Sequence, residues 1–145
     1  MPTDHHKNIA AIIHLSTFSR FVIPFGGILG PLILWVLNKD KSKFIDQHGK
    51  SAINFRLSIF LYSLIIGVIS IPFLLFNVFR GFTFHPSVGF DFSFQNLSPI
   101  LFIGGGLGFL AIITFLLELV FVILASIRAK EGEMYQYPIT ISFMK

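Results

Sequence analysis

The sequence contains no cysteine, and only 12% of its residues are charged. The first absence excludes a disulfide framework, a cysteine-ligated metal site and a cysteine nucleophile. The charged content is about half that of a typical soluble domain, so too few polar residues are present to cover a water-soluble globule. Hydrophobic residues make up 54% of the 145 residues, and the mean hydropathy is +0.79. These figures predict an integral membrane protein.

Three long apolar tracts occupy residues 9–37, 52–79 and 99–127. A helix crosses the roughly 30 Å hydrocarbon core with about 20 apolar residues, so each tract is long enough to span a membrane. The first tract exceeds the apolar core of about 7–15 residues that signal peptides carry, and two more tracts follow it. We predict one transmembrane domain over residues 1–145, with helical segments at about 8–20, 27–38, 47–79 and 98–130.

The first tract admits two interpretations. A single helix would place Arg20 near mid-membrane, which costs at least about 2.5 kcal/mol. A helical hairpin avoids that cost, because residues that break or loosen a helix follow directly and can act as its hinge: Pro24, Gly26, Gly27, Gly30 and Pro31. We prefer an all-α, four-helix bundle with this broken N-terminal hairpin. Three spanning helices are the alternative.

Basic residues predict the orientation. Residues 38–50 carry four lysines, and the C-terminal segment adds Arg128, Lys130 and Lys145, whereas residues 80–97 contain only Arg80. The positive-inside rule then places loop 38–50 and the C-terminus in the cytoplasm and loop 80–97 outside, in a multi-pass protein of the cytoplasmic (inner) membrane. Membrane lipids, anionic lipid above all, are the expected partner of the lysine-rich loop, Trp35 is a candidate interface anchor, and nucleic acid is not indicated.

Small residues recur at a spacing that suits close helix contact. Gly104 and Gly108 lie four residues apart in the third tract, and Ser63 and Gly67 repeat this spacing in the second. Such faces allow helix backbones to approach closely. They predict helix packing, within the chain, in a homo-oligomer or against a partner membrane protein.

A small set of polar residues falls within the predicted membrane region, and Glu118 is the most informative of them. It precedes Arg128 by ten positions, about 15 Å of helix rise, and a lone carboxylate at that depth needs a partner or a proton. His14 and Arg56 are its expected partners, Asn54 enters the membrane from the same side, and Arg20 lies at the hairpin tip. Two roles stay open for this set: a proton- or ion-responsive site, or polar contacts that hold the bundle together.

The sequence predicts neither a catalytic residue nor a cofactor. It contains no nucleophile elbow, no phosphate-binding glycine loop and no zinc-protease motif. The adjacent His5 and His6 lack further ligands, so no metal site is predicted, and His48 is expected in a loop. We therefore expect a protein that is not an enzyme.

Several motifs resemble those of a known family. Residues 14–16, 23–35, 39–40, 46–55 and 129–138, which include Ile23-Pro-Phe-Gly-Gly and Asp46-Gln-His-Gly-Lys, are similar to a bacterial membrane-protein family of unknown function. That family is related to the Tic-twenty component of chloroplast inner-envelope protein import. The resemblance implies four membrane helices with both termini on one side, and it supplies no catalytic residues.

Together these observations predict a small non-enzymatic membrane protein. Its expected role is that of a subunit or accessory factor of a membrane protein assembly, in translocation or envelope maintenance. A small channel or carrier for ions, protons or solutes is the alternative, with Arg20, His14 and Glu118 as its working residues.

Overall fold

The computed structural model describes residues 2–85, 89–92 and 97–144, and most of these are helical. The elements follow in the order α1 (Asp4–Leu15), a first 3₁₀ helix (Ser16–Phe21), α2 (Gly26–Asn38), a second 3₁₀ helix (Lys39–Lys41), α3 (Lys43–Gly81), β1 (Phe82–His85), β2 (Gly89–Phe92) and α4 (Leu97–Glu131). The strands pair antiparallel, from Phe82 opposite Phe92 to His85 opposite Gly89. The prediction of a helical protein is confirmed, with one short strand pair added to the described part of the chain.

Two helices have the length and composition of membrane spans. The candidate spans are Lys43–Phe76 in α3 and Gly104–Glu131 in α4. Helix α1 has 12 residues and α2 has 13, which is fewer than the roughly 20 that cross a bilayer. The fold agrees with a helical membrane protein, while a full crossing by α1 or α2 stays a prediction.

The chain divides into two compact units. Unit 1 consists of Met1–Leu61 and Leu117–Lys145, and unit 2 of Tyr62–Leu116. Unit 1 contains α1, α2, both 3₁₀ helices, the first part of α3 and the last part of α4. Unit 2 contains the strand pair and the remaining parts of α3 and α4. That residues 1–145 act as one transmembrane domain stays a prediction.

The helices of unit 1 begin earlier than their hydrophobicity indicates. Helix α1 starts at Asp4 because Thr3 caps it, with the Thr3 hydroxyl accepting a hydrogen bond from the His6 amide at 3.4 Å. Helix α3 starts at Lys43, where the Ser42 hydroxyl accepts a hydrogen bond from the Phe44 amide at 3.1 Å. Residues 43–50 are therefore helical, although their lysines predict a loop.

The chain breaks between α1 and α2, so residues 9–37 are two α-helices and the single-helix alternative is wrong. The turn occupies residues 22–25, where Phe25 adopts a left-handed conformation with φ of 62°. Of the predicted hinge residues, Pro24 lies in this turn and Gly26 and Gly27 open α2. Gly30 and Pro31 lie inside α2 instead, so their assignment to the hinge is wrong.

Gly26 and Gly30 let α2 fold back against the first 3₁₀ helix. A Cβ atom at position 26 would lie 2.5 Å from the Ser19 carbonyl oxygen, and one at position 30 would lie 2.5 Å from the Ser16 carbonyl oxygen. The Ser19 hydroxyl also donates a hydrogen bond to the Gly26 carbonyl at 2.6 Å. These glycines therefore serve close backbone packing as well as the turn.

Small side chains also bring α1 against the ends of α3 and α4. Ala10 and Ala11 of α1 pack on Ala129 of α4, and Ile13 of α1 packs on Ile45 and Ala52 of α3. A third cluster joins α3, α4 and the C-terminal tail through Phe55, Val122, Ala125 and Tyr137. The core of unit 1 thus lies where α1 meets the first turns of α3 and the last turns of α4.

The tail after α4 is ordered and lies on α3. Gly132, with φ of 85°, ends α4 with the two hydrogen bonds of a Schellman motif, from Gly132 to Ala129 and from Glu133 to Arg128. A Cβ atom at Gly132 would lie 3.1 Å from the Lys7 side chain, so the end of α4 lies beside the start of α1. Residues 133–144 then continue without helix and supply Tyr137 to the core.

Candidate functional site

A buried arginine–glutamate network, formed by Arg20, Arg56 and Glu118, lies in unit 1. Glu118 of α4 accepts a hydrogen bond at Oε2 from the Arg20 guanidinium at 2.6 Å, and its Oε1 forms an ion pair with Arg56. The side chains of Glu118 and Arg56 are both only 6% exposed. Arg56 also donates a hydrogen bond to the Thr17 carbonyl oxygen at 3.2 Å. One carboxylate therefore joins the first 3₁₀ helix, α3 and α4.

Glycine at position 27 leaves room for this network. A Cβ atom there would lie 3.3 Å from Cβ of Arg20, 3.4 Å from the Thr17 carbonyl oxygen and 3.5 Å from Cζ of Arg56. The Arg20 guanidinium also lies 5.3 Å from the centre of the Phe21 ring, a cation–π distance. The Thr17 backbone, the space at Gly27 and the Phe21 ring thus position both arginines around the Glu118 carboxylate.

The network carries two positive charges and one negative charge. Burying it costs desolvation free energy that ion pairing only partly offsets. Removing a single partner is worse, because it leaves an uncompensated buried charge. Loss of any one partner would therefore destabilise the junction of the three elements.

A second chain of hydrogen bonds, the histidine–tyrosine chain, joins His48, His14 and Tyr137. Nε2 of His14 lies 2.9 Å from Nδ1 of His48, and Nδ1 of His14 lies 2.9 Å from the Tyr137 hydroxyl. Both imidazoles are fully buried. Tyr137 stacks on Phe55 with ring centres 4.1 Å apart, and Phe44 packs on His48 at 4.4 Å. The chain thus links α3, α1 and the tail through aromatic packing.

Two arrangements of protons satisfy this chain. In one, Tyr137 donates to His14 and His14 donates to His48; in the other, each bond is reversed. Burial raises the pKa of Tyr137, so its phenol keeps its proton at ordinary pH and can donate. Burial also raises the pKa of the neighbouring Tyr135. The two arrangements differ in which atoms of the chain carry the protons.

Asn54 holds the tail in place. Its amide nitrogen donates to the Met144 carbonyl at 2.9 Å, and its amide oxygen accepts from the Met144 amide at 2.9 Å. One turn before and one turn after Asn54 on the same face of α3, Ser51 donates to the Tyr135 carbonyl at 3.1 Å and Ser58 accepts from the Ile141 amide at 2.8 Å. A polar face of α3 therefore pairs with the backbone of the tail.

The structure brings three of the five predicted polar residues together: Glu118, Arg20 and Arg56. His14 is not a partner of Glu118, because both of its ring nitrogens are bonded elsewhere, to His48 and Tyr137. The assignment of His48 to a loop is wrong, since it is buried in α3. A signal for it exists in the sequence, because Ile45, His48 and Ala52 follow helical spacing and form one buried stripe.

The predicted packing glycines lie in unit 2. A Cβ atom at Gly104 or Gly108 would meet no described atom within 4 Å, and one at Gly67 would meet only Ile71 of its own helix, at 4.0 Å. Ser63 lies one turn before Gly67 in α3. Within the described chain these glycines therefore make no close helix contact, and their packing against a partner helix stays a prediction.

A cluster of metal ligands is absent from the part of the chain that the structure describes. No three histidine, aspartate or glutamate side chains gather there in a way that could hold an ion. The His14 and His48 imidazoles are near each other, but each bonds to its neighbour through a ring nitrogen.

A helical chain with two candidate spans and a buried ion-paired network belongs to the class of small integral membrane proteins. Within that class, the chain belongs to the MamF/MmsF family, described as the magnetosome magnetite crystal formation protein family, whose profile matches residues 5–144. No curated protein and no solved structure shows a significant match.

The family assignment corrects the resemblance to the Tic-twenty-related family, which is wrong. The residues that suggested it have structural contacts in this chain. Gly26 and Gly30 of the first motif pack on the first 3₁₀ helix, and Gly49 of the second packs on Trp35. The motifs therefore indicate local helix packing and not an import function, and the interpretation as a translocation factor has no support.

Proposed function

We propose that this chain is a non-enzymatic membrane protein that acts as a structural accessory subunit in magnetite crystal formation. Membership of the MamF/MmsF family supplies the process. The observation that carries the structural role is the arginine–glutamate network, which commits its ionisable groups to one another across three elements. Side chains paired in this way maintain the shape that the protein needs for assembly, and they are not available to bind a substrate.

The surface supports a role beside other membrane components. Large apolar side chains are exposed on both long helices, among them Val68 (64%), Ile69 (70%) and Phe109 (64%). In a membrane such side chains contact lipid tails or the helices of a partner. The partners we propose are membrane lipids together with a membrane protein or further copies of the chain, and not nucleic acid.

We propose an orientation with the N-terminus, loop 38–50 and the C-terminus in the cytoplasm and loop 80–97 on the opposite side. Two observations support it. The lysines follow the positive-inside rule, and the end of α4 lies beside Lys7 of α1. In a magnetosome membrane this orientation directs residues 80–97 away from the cytoplasm.

A proton or ion carrier is the second candidate function. The histidine–tyrosine chain favours it, because three groups that exchange protons are joined by two hydrogen bonds of 2.9 Å. Such chains carry protons in pumps and transporters. In this candidate the arginine–glutamate network sets the charge of the pathway and does not serve only as a structural link.

The test compares Glu118→Gln with an apolar network that combines Arg20→Met, Arg56→Met and Glu118→Leu. Removing only the carboxylate takes away the negative charge that both guanidinium groups share, and breaking a buried pair costs about 3–5 kcal/mol. Glu118→Gln should therefore lower the unfolding temperature in detergent, while the apolar network should recover most of the loss. Cells that express only the apolar variant should form magnetite crystals of normal size, measured by electron microscopy.

Proton flux into proteoliposomes separates the two candidates. Under the structural function, the wild type and the apolar network give the same flux as empty vesicles. Glu133→Gln is the matched control, because Glu133 is exposed and outside the network, and it should change neither crystals nor stability. A stable apolar variant that abolishes both a measured flux and normal crystals would contradict the structural function and establish the carrier.

A further inference from the structure

We propose that unit 1 carries a specific binding site for an anionic phospholipid headgroup, at the junction of α2 and α3. A cavity of about 520 Å³ lies there, and its lining consists of one aromatic, three basic and two acidic residues: Trp35, Lys39, Asp40, Lys43, Asp46 and Lys50. This site is separate from the arginine–glutamate network and the histidine–tyrosine chain. The ligand chemistry is a phosphate diester carrying acyl chains.

Trp35 forms a fixed wall of this cavity. A Cβ atom at Gly49 would lie 2.1 Å from Cδ1 of Trp35, so the indole rests directly on the backbone of α3. Its Nε1 donates a hydrogen bond to Asp46 Oδ1 at 2.9 Å. Lys39 lies over the ring at 5.3 Å from its centre. Packing, a hydrogen bond and a cation–π contact thus set the position of the indole before any ligand binds.

The charge of the cavity favours an anion. Both oxygens of Asp46 are engaged, one by Trp35 and the other by Lys50 at 2.7 Å. Asp46 therefore neutralises Lys50 and has little capacity for a cation. Lys39 and Lys43 then face the single remaining carboxylate of Asp40, so the lining keeps a net positive charge. Lys43 also begins α3, and the N-terminus of a helix favours a negative group.

The position of the cavity selects a lipid over a soluble phosphate. The cavity lies at the N-terminal end of α3, whose candidate span is Lys43–Phe76, and a membrane crossed by α3 would have lipid headgroups at that end of the helix. The last turns of α2 next to the cavity expose Ile33, Val36 and Leu37, with Leu37 68% exposed. A phosphate held by the lysines would place its acyl chains along these side chains. Tryptophan and lysine are the residues that typically occupy this interface.

The single tryptophan of the chain provides a direct measurement, because Trp35 is itself part of the site. The protein is reconstituted into phosphatidylcholine vesicles in which part of the lipid is phosphatidylglycerol with brominated acyl chains, which quench indole fluorescence. We expect stronger quenching from brominated phosphatidylglycerol than from brominated phosphatidylcholine at the same mole fraction. Lys43→Gln should lower this preference about fivefold, since a basic residue near a membrane surface contributes about 1 kcal/mol.

Lys41→Gln is the matched control, because Lys41 lies in the same loop, bonds to Asn38 and does not line the cavity. It should leave the preference unchanged, and Lys43→Arg should retain it. Equal quenching by both lipids would overturn the proposal. A loss of the preference in Lys41→Gln as large as that in Lys43→Gln would also overturn it, because it would indicate a diffuse surface charge. Loss of the preference on adding inorganic phosphate, but not chloride at equal ionic strength, would overturn it in favour of a free phosphate site.

Discussion

Tyr137 illustrates how a single side chain connects distant parts of unit 1. It comes from the tail beyond α4, stacks on Phe55 of α3 and bonds to His14 of α1. Its hydroxyl is the one polar group of a ring that is otherwise packed against carbon, so the hydrogen bond to His14 sets the orientation of the ring. The tail is therefore anchored by a side chain as well as by its backbone.

The raised pKa of Tyr137 predicts a loss of stability at alkaline pH. A phenol ionises with a pKa near 10 in an unfolded chain, and burial raises the pKa of Tyr137 in the folded protein. Above about pH 10 the folded state therefore binds more protons than the unfolded state, so stability falls as pH rises. Unfolding temperatures measured from pH 8 to 11 should decline above pH 10.

Tyr137→Phe tests the origin of that decline. The variant keeps the stacking on Phe55 and lacks the ionisable hydroxyl, so the decline should become smaller. Its stability at pH 8 should be lower by about 1–3 kcal/mol, because a buried ring nitrogen of His14 loses its partner. Tyr135→Phe, which removes a less buried phenol, is the control. An unchanged alkaline decline in Tyr137→Phe would contradict the assignment.

The sequence predicts which residues need partners better than it predicts the partners. Glu118 is recognisable because a carboxylate in an apolar tract requires compensation, and Arg56 is expected as its partner. The contribution of Arg20 is not predictable, because its direction depends on a 3₁₀ segment that begins where α1 ends. The pairing of His14 with Tyr137 joins residues 123 positions apart. No local pattern encodes such a contact.

At the scale of the elements, glycine distinguishes two kinds of helix contact. Gly30 lies against the Ser16 backbone, while Gly104 faces no described atom within 4 Å. The same residue type thus permits close packing inside unit 1 and leaves an open helix surface in unit 2. The open surface agrees with a role for α4 beside another membrane helix.

Gly30→Ala and Gly104→Ala should therefore have opposite effects. A Cβ atom at position 30 would lie 2.5 Å from a backbone oxygen, which requires α2 to move and should cost about 1–3 kcal/mol. At position 104 the added methyl group has space, and alanine is the better helix former by up to about 1 kcal/mol. Circular dichroism of both proteins during heating in detergent measures the difference. Equal destabilisation would show that the packing of α2 is not the cause.

Element boundaries are less predictable than element type. Apolar content identifies the long helices, but the start of α3 at Lys43 depends on a serine cap and on side chains that line the core of unit 1. Lysines on the opposite face of these first turns of α3 make the segment resemble a loop in the sequence. The break at residues 22–25 is predictable from Pro24 and the glycines, whereas the conformation of Phe25 is not, because phenylalanine rarely adopts a positive φ.

At the scale of the whole molecule, the absence of cysteine makes the orientation measurable. We expect a single cysteine introduced as Thr3→Cys to react only from the cytoplasmic side, because α1 begins beside the end of α4. One introduced as Ser87→Cys should react only from the opposite side. A membrane-impermeant maleimide applied to sealed vesicles, before and after permeabilisation, gives the result. Labelling of both positions from one side would contradict the orientation.

Composition predicts the class of the whole molecule, whereas the motifs suggest a family to which the chain does not belong. The apolar excess leads directly to a helical membrane protein with two spans of the right length. The family is shown by the profile over residues 5–144, and the process that we propose follows from that membership and not from any residue of the interior. Motifs such as residues 23–35 describe how helices pack, and related packing can serve unrelated processes.

The hydrogen bond between Arg20 and Glu118 joins residues 98 positions apart, so it also imposes an order on biosynthesis. Arg20 leaves the ribosome long before its acceptor, and Tyr137 emerges after Glu118. Until α4 is inserted, the Glu118 carboxylate is not yet between Arg20 and Arg56. The translocation machinery or lipid phosphates must accommodate both cations during synthesis, and the network forms only after Glu118 has been synthesised.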